Sequence, residues 1–109
     1  MINMSLDVYL KDGDDYLYSG NITHNLGKMA KAVDIYTHLW RPEDIDITMA
    51  WQLINPLLDG YSRLIYEKKY MEKLNSANGW GMYEHFLPFI SGYIEACVMN
   101  PNATIEVSR

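Results

Sequence analysis

The chain has 109 residues, 49% of them hydrophobic and 21% charged, which is the make-up of one domain, 1–109, able to bury a core without disulfides or metals. Its formal charge of −5, from nine Lys and Arg against fourteen Asp and Glu, argues against a binder of duplex nucleic acid, because neutralising phosphates needs a clustered basic surface. The single Cys97 cannot form an internal bridge; its run Tyr93-Ile94-Glu95-Ala96-Cys97-Val98-Met99 marks it as a small buried hydrophobe in a reducing compartment.

At the amino terminus, Met1-Ile2-Asn3-Met4-Ser5-Leu6-Asp7 lacks a basic region followed by an apolar one, and no apolar stretch reaches bilayer length. A soluble, cytoplasmic protein with no membrane partner is expected. Leu6 to Leu10 alternates apolar and polar residues, Lys11-Asp12-Gly13-Asp14 supplies turn chemistry, and Asp15 to Ser19 alternates again, so the spacing predicts a hairpin. Asp12, Asp14 and Asp15 superficially suggest calcium, yet the loop lacks the later ligand positions and the closing Glu of such a site. Gly20-Asn21 then reads as a strand break, with Thr23 or Asn21 capping a helix from about His24 to Val33. A second helical turn, Ile35 to Trp40, must stop before Arg41, because Pro42 disfavours helical geometry at the residue before it.

Asp46 or Thr48 can cap the next helix, whose Trp51, Ile54, Leu57, Leu58, Tyr61, Leu64 and Ile65 recur every three or four residues to an end near Leu74. Pro56 and Gly60 predict that it is bent or broken. Lys68, Lys69 and Lys73 suit the carboxyl-end dipole of that helix better than a phosphate site. Asn75 to Gly81 is a loop by composition, and a last helix, from about Met82 to Met99, carries Tyr83, Phe86, Ile90, Tyr93 and Cys97 on one face. The tail Ala103 to Ser108 alternates and is rich in β-branched residues, which predicts a strand returning to the hairpin. The fold class is therefore α+β: a three-stranded antiparallel sheet packed against three to four helices.

Three segments set polar groups beside aromatics where a small domain needs only a turn. In Asn21-Ile22-Thr23-His24-Asn25, four of five side chains donate or accept hydrogen bonds, and His24 is the side-chain type that titrates near neutrality; the same residues also suit a helix cap and its neighbouring loop carbonyls. Gly27 and Lys28 come too late and too sparsely for a phosphate-binding glycine loop. Trp40-Arg41-Pro42 offers an aromatic face beside a guanidinium, although Arg41 can equally pair with Glu43 or Asp44 while Trp40 fills the core. In Asn78-Gly79-Trp80-Gly81, glycines on both sides of Trp80 allow close ligand approach, or a mere turn. His24, His38 and His85 show no metal-ligand spacing, Ser62 lies in no nucleophile elbow, and Cys97 has no activating base in sequence, so neither metal nor cofactor is implied.

The run Asn21 to Ala30, followed by Ile35-Tyr36, Leu39-Trp40-Arg41-Pro42-Glu43 and Asn78-Gly79-Trp80-Gly81-Met82-Tyr83, resembles a family of small bacterial and phage proteins of unassigned function, over nearly the whole chain. The resemblance implies that these segments form one pocket, and a phage setting implies a counter-defence role, by holding a nucleotide signal or masking a host protein. Two classes of function follow. One is a non-catalytic binder of a small polar or nucleotide-like ligand, in which Trp40 and Trp80 stack, Arg41 meets negative charge, and Asn21, Thr23, His24, Asn25, Asn78 and Tyr83 complete the site. The other is a protein-interaction or inhibitor module, whose acidic surface and exposed Tyr and Met residues dock a basic partner. A third reading is a hydrolase or lyase using His24 as acid or base. An exposed sheet edge also invites pairing between copies. The ligand-binding reading makes a geometric demand: His24, Arg41 and Trp80 should face one cavity.

Overall fold

A computed structural model describes residues 5–109; the part of the amino-terminal reading that rests on residues 1–4 lies outside them. In strand β1 (Ser5–Asp12) the alternation is strict: Leu6, Val8 and Leu10 are fully buried and the residues between them are not. Strand β2 (Asp15–Thr23) pairs antiparallel with β1 from Asp12↔Asp15 to Ser5↔Thr23, with a register irregularity at Leu10/Lys11 and Gly13 at a φ of +60° in the turn. Strand β3 (Thr104–Ser108) runs antiparallel along the other side of β1, giving the order β2-β1-β3. The hairpin and the returning carboxyl-terminal strand thus form the three-stranded sheet that the alternation predicts.

Gly20-Asn21 does not break β2. The ladder continues through Val8↔Gly20, Asp7↔Asn21 and Leu6↔Ile22. The site is tight: a Cβ at position 20 would lie 3.1 Å from Cε1 of Phe89 and 3.0 Å from Oη of Tyr18, so those side chains would have to give by a few tenths of an ångström. Thr23, ending the strand, caps a 3-10 turn over His24–Leu26 by accepting from the Asn25 backbone N–H at 3.4 Å.

Helices α1 (Gly27–Ala32) and α2 (Tyr36–Trp40) follow, separated by Asp34 in the left-handed region. A 3-10 turn, Pro42–Ile45, leads to α3 (Trp51–Tyr66), then α4 (Lys68–Glu72) and the long α5 (Tyr83–Met99). Neither Asp46 nor Thr48 caps α3. Instead Oε1 of Gln52 reaches back to accept from the N–H groups of Thr48 and Met49, both at 2.9 Å, while Asp46 closes the preceding turn at a φ of 58°. The chain leaves α3 at Glu67, not at Pro56 or Gly60, through both of which the helix is continuous. Gly60 marks a crossing: a Cβ there would come within 2.6 Å of Cγ2 of Ile35. Phe86, Ile90, Tyr93 and Cys97 of α5 and Leu53, Leu57 and Leu64 of α3 are fully buried with the inner sheet residues in one core. Among the described residues no helix is long and apolar enough to cross a membrane.

Candidate functional site

The loop between α4 and α5 is held by asparagine side chains. Oδ1 of Asn75 accepts from the Tyr83 N–H at 2.6 Å and so satisfies the start of α5, while Oδ1 of Asn78 accepts from the Trp80 N–H at 3.0 Å and from the Ser76 hydroxyl at 2.5 Å. The loop is pinned to the end of β2: Nδ2 of Asn25 donates to the Trp80 carbonyl at 3.0 Å. Gly81 makes that contact close, since its φ is +96° and a Cβ would stand 2.7 Å from Cβ of Asn25 and 3.2 Å from Cγ2 of Thr23. The backbone is fixed in this way while the Trp80 side chain stays open, the residue being 69% exposed. Beside it lies a groove of about 920 Å³ between Asn21, Thr23, His24 and Asn25 on one wall and Asn78, Trp80 and His85 on the other.

On the other side of His24 the chemistry changes. Nε1–H of Trp40 donates to Nδ1 of His24 at 2.8 Å, so in the neutral ring Nδ1 is the acceptor and Nε2 carries the proton. Trp40 is only 3% exposed. One face of its indole is stacked on Tyr36 at 4.8 Å, and the Lys31 ammonium sits 4.6 Å above the Tyr36 ring. Arg109 closes the arrangement by donating through Nη1 to the Trp40 carbonyl at 2.8 Å and pairing through Nη2 with Glu43 at 2.8 Å. The Glu43 carboxyl is held below its ordinary value chiefly by that Arg109 hydrogen bond.

These groups line a second, smaller pocket of about 340 Å³, between His24, Lys28, Lys31, Tyr36, Arg41 and Arg109. Four of the chain's nine Lys and Arg side chains line it and none of its fourteen Asp and Glu does. No family model, curated protein or solved structure matches this chain.

The expected single cavity is thus two. Trp80 opens on the groove and Arg41 on the cationic pocket, with His24 lining both. His24 is the residue the two share, and Trp40 orients it through its N–H while its own indole is buried and stacked on Tyr36, with no free face on that side for a ligand. Arg41 is exposed and faces Asp44 at 3.8 Å. Asn21 lines the groove but spends its Nδ2 on Asp7, at 2.6 Å, and on the Ser5 hydroxyl, at 3.1 Å. Tyr83 lies outside the site; it is buried, and its hydroxyl donates to the Leu64 carbonyl at 2.9 Å. Sequence reasoning placed Lys28 and Tyr36 only within the resembling segments, with Lys28 set aside as too late for a phosphate-binding glycine loop, and missed Lys31 and Arg109 altogether. Only the spacing of Lys28 and Lys31, three apart on a short helix, hinted at one of these faces.

Other reactive groups are placed less favourably. Burial pushes the Cys97 thiol up to about 12, which removes the thiolate needed for nucleophilic attack. The Tyr93 hydroxyl is buried without a hydrogen-bond partner among the described residues, and burial raises its pKa. No cluster of three or more His, Cys, Asp or Glu side chains among the described residues is placed to hold a metal ion.

Proposed function

We propose that this protein is a non-catalytic binder of a small polar or nucleotide-like ligand, held in the groove between the end of β2 and the Trp80 loop. The observation that carries the reading is the exposed Trp80 side chain on a backbone fastened by Asn25 and Asn78, since an aromatic face presented on a pre-ordered loop lowers the entropy lost on stacking a flat ring. Free polar groups border it: Nδ2 of Asn78 makes no hydrogen bond among the described residues, and Nε2–H of His24 points away from the bond that engages Nδ1. The groove volume, about 920 Å³, lies at the upper end of the range of small-molecule sites. The resemblance to small bacterial and phage proteins extends the reading to a cytoplasmic counter-defence protein that sequesters a signal molecule. Binding is favoured over hydrolase or lyase chemistry because the lone pair of neutral His24 is committed to Trp40, leaving a donor where a general base is needed.

A thermal-shift screen against nucleotides, cyclic nucleotides and sugar phosphates tests this. A ligand at ~100 times its Kd adds about 2.7 kcal/mol to the folded state, and the resulting rise in Tm should disappear in Trp80→Ala. A flat screen, or a rise that Trp80→Ala leaves intact, contradicts the reading.

One observation favours the second class, a module that docks a basic host protein. Trp51, Leu58 and Ile65 are exposed at seven-residue spacing on α3, with half-buried Ile54 and Tyr61 between them, a stripe apolar enough for a partner. That reading requires a basic host protein whose binding Leu58→Glu abolishes and Trp80→Ala does not.

A further inference from the structure

We infer that the pocket next to the Trp80 groove is a phosphate subsite, so that the ligand proposed above is a phosphorylated one: its flat ring lies in the groove and its phosphate lies among Lys28, Lys31, Arg41 and Arg109. The inference rests on that reading for the ring, but the phosphate subsite stands on its own observations. In a chain of net charge −5, four cationic side chains from three separate stretches converge on a pocket of about 340 Å³ that no carboxylate lines. Two carboxylates stand behind it: Glu43 engages Arg109 at 2.8 Å and Asp44 faces Arg41 at 3.8 Å, which leaves the set with an excess of two positive charges, matched to a phosphate dianion.

The four cations differ in how they are held. Arg109 is fixed by the Trp40 carbonyl and Glu43, and Lys31 rests over the Tyr36 ring, so each is partly pre-organised. Lys28 makes no ion pair or hydrogen bond among the described residues and is the side chain free to close on an anion. His24 joins the two compartments, since the engagement of its Nδ1 by Trp40 leaves the Nε2 proton as a donor at the boundary. Bringing like charges together in a cleft is unfavourable until an anion occupies it, and the same cleft focuses the field that attracts one. Lys68, Lys69 and Lys73, the densest basic run in the sequence, line neither pocket and provide an internal control.

The test is a titration of the isotope-labelled protein with inorganic phosphate at low ionic strength, followed by amide and side-chain N–H shifts. We expect saturable shifts at Lys28, Lys31 and Arg109, with affinity reduced about tenfold in Lys28→Ala and again in Lys31→Ala, the size expected for loss of one charge-assisted contact. Non-saturating shifts, shifts shared equally with Lys68, Lys69 and Lys73, or unchanged affinity in both variants overturn the subsite. A parallel titration compares adenosine with adenosine monophosphate. Equal affinity for both, with Trp80 responding, removes the phosphate subsite and keeps the groove. Saturable phosphate binding with no response of Trp80 to adenosine keeps the subsite and removes the ring-binding reading.

Discussion

At the scale of single residues, the contact between Trp40 and His24 decides most. It sets the imidazole tautomer of the residue that lines both pockets and buries an indole whose N–H would otherwise need another partner. Trp40→Phe removes the donor and part of the ring, so we expect a loss of about 1–3 kcal/mol in urea denaturation. Long-range nitrogen–proton spectra should also show His24 leaving a pure Nε2–H tautomer; an unchanged tautomer in the variant would show that the indole does not set it. His38 offers a pH test. Burial lowers its pKa below the ordinary 6.5, against a smaller opposing effect of Asp34, and its Nδ1 is buried without a partner among the described residues. The unfolded chain therefore takes up the proton more readily than the folded one, so the contribution of neutral His38 is present above 6.5 and is lost as the pH falls below it. Tm should fall as the pH drops below the ordinary 6.5, and less steeply in His38→Gln. Equal slopes in the two proteins would remove the assignment to His38.

Among the elements, the Trp80 loop and α3 each depend on one glycine, for different reasons. At Gly81 a Cβ would meet Asn25 at 2.7 Å and the φ is +96°, so strain adds to the clash. At Gly60 the clash with Ile35 at 2.6 Å is partly offset by the ~1 kcal/mol that alanine gains over glycine inside a helix. Gly81→Ala should accordingly destabilise by about 2–4 kcal/mol and exceed Gly60→Ala in urea unfolding; the reverse order would mean that the loop is not held as described. Elements governed by local chemistry were legible in the sequence. Period-two alternation around Asp12-Gly13 gave the hairpin, the β-branched tail gave β3, and the apolar spacing gave α5. What was not legible depended on distant partners: β2 continues through Gly20 and Asn21 by pairing with Val8 and Asp7, and α3 stops at Glu67, where no Pro or Gly signals an end.

On the scale of the whole molecule the same division holds for the site. The Asn21–Asn25 segment and the Trp80 loop do meet along one groove, but composition marked only their polar groups and left their convergence open. The cationic pocket was not legible, because Lys28, Lys31, Arg41 and Arg109 meet only when β3 returns along β1 and brings Arg109 to the Trp40 carbonyl. An acidic chain thus concentrates positive charge at one place beside an aromatic groove, and apolar exposure away from that groove includes Trp51, Leu58 and Ile65 of α3, Tyr16 and Leu17 of β2, and Val98 and Met99 of α5. The most direct measurement is a map of backbone amide and indole N–H shifts on adding adenosine monophosphate at about 10 mM, where Kd values in the millimolar range still register. The account predicts shifts at the Trp80 indole, Asn25 and Gly81 together with Lys28 and Lys31. Shifts absent from these residues, or gathered on Trp51, Leu58 and Ile65, would contradict it.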